Sequence, residues 1–208
     1  MKTIFVIPGW QEKTSSRNYG WLIKFLKHKG FRVFGVPIKW KYRVVSDYVI
    51  DFKKFYREHR TGNDYFLGFS YGAVIAFMTA GEFKPKQLYL CSLSPDFRED
   101  RTAMKSWVRK LIGKRRFEDT RTRSARTIAQ TLTMPTTIFY GAVEGRRFPQ
   151  LKIRCEETAA LAKRAKLIIV EDAPHKIDHP KYIEAIKKGV MIRCAILLLG
   201  IAPLPWYF

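Results

Sequence analysis

Residues 64–76 read DYFLGFSYGAVIA, and the fold turns on this stretch. Its first half, DYFLGF, is a continuous apolar run, as in strands buried on both faces of a parallel sheet. Its second half, YGAVIA, is small and apolar and reads as the start of a helix. Ser70 stands at the junction, with Gly68 two residues before it and Gly72 two after. A strained strand-to-helix turn can expose a serine nucleophile only if the flanking residues are small. Alone, G-x-S-x-G is equally an ordinary turn containing a serine, so the rest of the chain must decide.

Five further apolar runs read as buried strands: TIFVIPG from Thr3, RVFGVPI from Arg32, QLYLCSL from Gln87, TTIFYG from Thr136 and KLIIVED from Lys166. Helical segments lie between most of them. Ser15 and Ser16 are candidate caps for a helix carrying Trp21, Leu22, Phe25 and Leu26, with Gly30 as its stop. Ser46 is a candidate cap for a second, with Tyr48, Val49, Phe52, Phe55 and Tyr56 on one face. A third follows Ser70, residues 155–165 make a fourth, and Pro180 opens a fifth with Tyr182, Ile183 and Ile186 inward. Strand alternating with helix predicts an α/β fold: a doubly wound, mostly parallel six-stranded sheet between helices, in three layers.

The 208 residues, 47% of them hydrophobic, suit one α/β domain and exclude a disordered chain. The net charge of +21 implies attraction to acidic surfaces or anionic substrates without naming one. Cys91, Cys155 and Cys194 form no CxxC pair, which argues against a disulfide framework and favours a reducing, cytoplasmic setting. Cys91, inside an apolar run, reads as core. The apolar start of the chain is too short for a signal peptide and reads as a strand.

Ligands of open α/β sheets bind beyond the carboxyl ends of the strands. There the sequence places Pro8-Gly9-Trp10, then Ser70, then Ser94-Pro95-Asp96, then Glu144 between Gly141 and Gly145, then Pro174-His175. A serine, two candidate acids and a histidine converge on one edge, in the chain order serine, acid, histidine. In this order and placement the sequence resembles the α/β-hydrolase superfamily, over roughly residues 3–188, in a small form lacking the first antiparallel strands. The resemblance implies Ser70 as nucleophile, His175 as base and Glu144 as triad acid, with Asp96 as the alternative acid. It implies an oxyanion hole from the backbone N–H groups of Tyr71 and Trp10, and no cofactor. The chain departs from the usual pattern in having Pro8-Gly9 for His-Gly, Glu144 for Asp, and Pro174 for the glycine before the histidine. The expected reaction is hydrolysis of a carboxylic ester or thioester, on a small-molecule substrate for which the positive charge favours an anion. The alternative is a non-catalytic or peptidase-like member of the fold, binding anionic partners through its basic surface.

Other features have plainer readings. His175 and His179 are four apart, but Pro180 and the lack of a third ligand argue against a metal. His28 and His59 read as solvated helix ends. Residues 1–190 form the domain, and the basic segment 96–133 sits where the superfamily inserts its cap. That segment lacks a nucleic-acid motif, which argues against DNA or RNA as partner. Residues 191–208 form an apolar tail interrupted by Pro203 and Pro205. It falls short of the ~20 apolar residues of a membrane span, and fits a peripheral bilayer contact or a homodimer contact.

Overall fold

The structure, a computed structural model, describes the backbone of residues 1–199 and the side chains of residues 1–190. The docking expected of the apolar tail therefore falls outside the described side chains, and residues 200–208 lie outside the described residues altogether.

The chain runs β1 (Lys2–Ile7), α1 (Arg17–His28), β2 (Phe31–Gly35), α2 (Val45–His59), β3 (Asp64–Phe69), α3 (Tyr71–Phe83) and β4 (Gln87–Cys91). The basic segment follows as three short helices, α4 (Ser106–Ile112), α5 (Lys114–Asp119) and α6 (Ala125–Thr131). Then come β5 (Thr136–Gly141), α7 (Ala142–Arg147), α8 (Pro149–Leu161), β6 (Ala165–Val170) and α9 (Pro180–Leu199). The six strands form one parallel sheet in the order β2-β1-β3-β4-β5-β6.

Alternate strand residues feed two cores, because successive side chains point to opposite faces. Phe5 and Ile7 of β1 join Phe52 of α2, Val74 of α3, Ala129 of α6 and Cys155 of α8. Ile4 and Val6 of the same strand join Tyr19 and Leu22 of α1 and Tyr182 and Ile186 of α9. The sheet is thus the middle of three layers. Helix α3 is apolar nearly all round because it is buried nearly all round. Cys91 is a buried free thiol, and burial pushes its pKa up.

Several local expectations need correction. The helix expected at 155–165 starts at Pro149 and ends at Leu161. Ser16 sits at the N-cap of α1 without a side-chain capping bond. Ser46 does not cap α2; Asp47 accepts the Val44 N–H at 3.0 Å, and Ser46 instead donates its hydroxyl to Asp119 at 2.5 Å. His59 is not a solvated end: its ring stacks on Phe55 at 4.2 Å between centroids. Helix α9 continues past residue 190 into the segment expected to be tail. Among the described residues no helix is long and apolar enough to cross a membrane.

Candidate active site

The strand order reverses at β1. From β1 the chain moves outward to β2, then returns to place β3 on the other side of β1. The loops leaving β1 and β3 therefore part at their carboxyl ends and leave a crevice between them. A cavity of about 360 Å³ lies there, lined by Trp10 from the first loop, Ser70 and Tyr71 from the third, and His175 and Ile177 from the last.

Ser70 links β3 to α3 with φ 55° and ψ −119°, a conformation costly to a residue with a side chain. Its neighbours hold it there. The Ser70 N–H donates to Cys91 O at 2.9 Å, hooking the turn onto β4. A Cβ on Gly68 would lie 2.2 Å from Gly72 O, and one on Gly72 would lie 2.1 Å from Ile7 O. Both glycines are thus demanded by backbone packed against backbone.

The Ser70 hydroxyl lies 3.1 Å from His175 Nε2, and His175 Nδ1 lies 2.7 Å from Glu144 Oε2. The imidazole packs against the Phe69 ring and is about a third exposed, whereas the Glu144 carboxylate is fully buried. A buried carboxylate needs every oxygen satisfied. Glu144 Oε1 accepts from Ser92 Oγ at 2.7 Å and from the Gly141 N–H at 2.6 Å. Glu144 belongs to the first turn of α7, not to an open loop between glycines.

Asp96, the alternative acid, is turned elsewhere. Its carboxylate and carbonyl are both taken by Arg123, which also binds Asp119 at 2.6 Å. Burial pushes the Asp96 carboxyl up to about 6, with Arg123 acting against the shift.

Among the described residues the N–H groups of Tyr71 and Trp10 have no protein acceptor. The first loop is shaped by Glu12, which accepts from the Gly9 N–H at 3.0 Å, Tyr19 OH at 2.6 Å and Asn18 Nδ2 at 2.9 Å. Arg116 of the basic segment lies over the Trp10 ring at 4.9 Å.

Sequence reasoning gave no site role to four members of this network: Glu12, Ser92, Ser94, which it placed only at the end of the fourth strand, and Tyr182, which it placed only on the inward face of the last helix. Ser94 Oγ lies 3.2 Å from Ser70 Oγ, and Tyr182 OH lies 2.7 Å from Ser92 Oγ. The two serines carried a signal, since CSLSP puts both hydroxyls at the end of β4.

No protein-family model and no curated protein matches the sequence. Solved structures do. Est1E from Butyrivibrio proteoclasticus superposes with a TM-score of 0.73 at 14% identity, over 94% of this chain and 90% of that one. The chain has the α/β-hydrolase fold. Two more examples of the fold lie at similar distance. Alpha/beta hydrolase domain-containing protein 10 from mouse has a TM-score of 0.67 and 15% identity, over 94% of this chain and 90% of its own. A bromoperoxidase from Bacillus anthracis has a TM-score of 0.72 and 12% identity, over 93% and 92%. In this hydrolase fold the crevice beside Ser70 is where the topology itself opens a site.

Proposed function

We propose that the protein is a serine hydrolase that cleaves a carboxylic ester or thioester through an acyl-enzyme. The observation that carries this reading is the unbroken line from Ser70 Oγ through both nitrogens of His175 to the buried Glu144 carboxylate.

A serine hydroxyl is a weak nucleophile until a base accepts its proton. As Ser70 Oγ bonds to the acyl carbon, its proton passes to His175 Nε2. Glu144 holds the Nδ1 proton, fixing the tautomer, and stabilises the imidazolium without taking that proton. The carbonyl oxygen gains charge, which the free amides of Tyr71 and Trp10 and the N-terminal end of α3 are suited to stabilise. As the carbonyl re-forms, the bond to the leaving oxygen or sulfur breaks and His175 hands it the proton. Water repeats the sequence on the acyl-serine, releasing a carboxylic acid and restoring Ser70.

Labelling with a fluorophosphonate, read by intact mass, tests the proposal. One adduct per chain on wild type and none on Ser70→Ala supports it. Equal labelling of both proteins, or no labelling of wild type, overturns it.

A further inference from the structure

Helix α4 is an outlier in how it uses its sequence, SWVRKLI. None of its side chains is buried. Trp107 and Leu111, one turn apart and so on one face, are 54% and 61% exposed. A lone exposed apolar residue is ordinary, but an exposed Trp and Leu side by side form a patch. The opposite side secures the helix: Arg109 donates to the carbonyls of Met104 and Arg101 and stacks on the Phe117 ring.

The charge around this patch is uncompensated. The five acids of the basic segment are all engaged by other groups. Arg123 takes Asp96 and Asp119, Arg154 takes Asp100, Ser124 takes Glu99, and Arg101 and Arg121 share Glu118. Lys105, Lys110 and Lys114, which bracket Trp107 and Leu111 in the sequence, pair with no carboxylate among the described residues.

We propose that α4 docks the protein on an anionic lipid surface. Trp107 and Leu111 enter the boundary between headgroups and acyl chains, and the three lysines rest on lipid phosphates. The chemistry favours this partner over two others. A nucleic acid would use the Trp107 ring and the lysines but has no use for Leu111. A second copy docking on the same face would bring identical lysines against each other. The docking is independent of the chemistry assigned to Ser70.

Vesicle sedimentation of the full chain tests it, using phosphatidylcholine alone and in an equal mixture with phosphatidylglycerol. Wild type is expected to bind the mixed vesicles more tightly, and to be released by salt. Trp107→Ala/Leu111→Ala is expected to weaken binding about tenfold while keeping the wild-type melting midpoint, because α4 buries neither side chain. Leu111→Gln alone is a milder variant with the same expected direction. Lys105→Gln/Lys110→Gln/Lys114→Gln should erase the preference for phosphatidylglycerol. Unchanged binding by folded Leu111→Gln and Trp107→Ala/Leu111→Ala overturns the proposal, as does equal binding of wild type to both vesicles. Tight binding to polyuridylate with none to vesicles overturns it too, in favour of nucleic acid.

Discussion

Ser92 Oγ donates to Oε1 of Glu144 at 2.7 Å, so the carboxylate oxygen that His175 leaves unused is occupied from the end of β4. Ser92 does this from a left-handed backbone, with φ 54°. Its hydroxyl and its strain make separate predictions. Ser92→Ala loses a hydrogen bond to a buried charge, which costs ~1.5–3 kcal/mol of stability. Ser92→Gly loses the same bond but relaxes the backbone by ~1 kcal/mol. Ser92→Gly should therefore melt above Ser92→Ala, while both slow the proposed hydrolysis at Ser70 alike. Equal melting midpoints would show that Ser92 is not strained.

The choice of acid is tested by exchange. Glu144→Gln leaves an amide that cannot stabilise an imidazolium, so kcat should fall ~10⁴-fold. Asp96→Asn, on the carboxylate held by Arg123, should leave kcat within a factor of a few among molecules that remain folded. Comparable losses in the two variants would sink Glu144 as the triad acid.

Glycines of this chain divide by what surrounds them. Gly68→Ala and Gly72→Ala push a Cβ into backbone atoms that no rotamer change can move. Each should cost more than ~3 kcal/mol and leave little soluble protein. Gly20, inside α1, has nothing within 4 Å of the place a methyl would take, so Gly20→Ala should stabilise by ~0.5–1 kcal/mol. Thermal melts of the three variants measure this contrast.

The parts legible in the sequence were those with local causes. β1, β3, β4 and β5 announced themselves because both faces of each are buried, leaving unbroken apolar runs. Ser70, His175 and Glu144 were placed by position at strand ends, because parallel strands deliver their carboxyl termini to one edge. What stayed hidden depends on contacts across long chain separations. Arg123 lies 27 residues from Asp96, and nothing local predicts that it would remove that acid from the site. Ser46 looked like a helix cap, yet its partner Asp119 is 73 residues away.

The Asp96–Arg123 pair predicts a pH dependence of stability with a definite sign. Burial raises the Asp96 carboxyl from 3.8 to about 6 in the folded chain, despite Arg123. Between those values the folded state binds more protons than the unfolded state, so this group's contribution is greatest below pH ~4 and is lost as pH rises through ~6. A shift of this size corresponds to on the order of 2–3 kcal/mol. Asp96→Asn has no proton to bind, so the stability of wild type relative to Asp96→Asn should be greater at acid pH than at neutral pH. Denaturant titrations of both proteins at the two pH values test it, and a difference that is flat or grows toward neutral pH refutes it. Arg123→Met extends the same logic. It leaves Asp96 buried without its cation, which typically costs ~3–5 kcal/mol. The loss should be smaller at acid pH, where the stranded carboxyl is neutral, than at neutral pH, where folding must bury its charge or hold its proton.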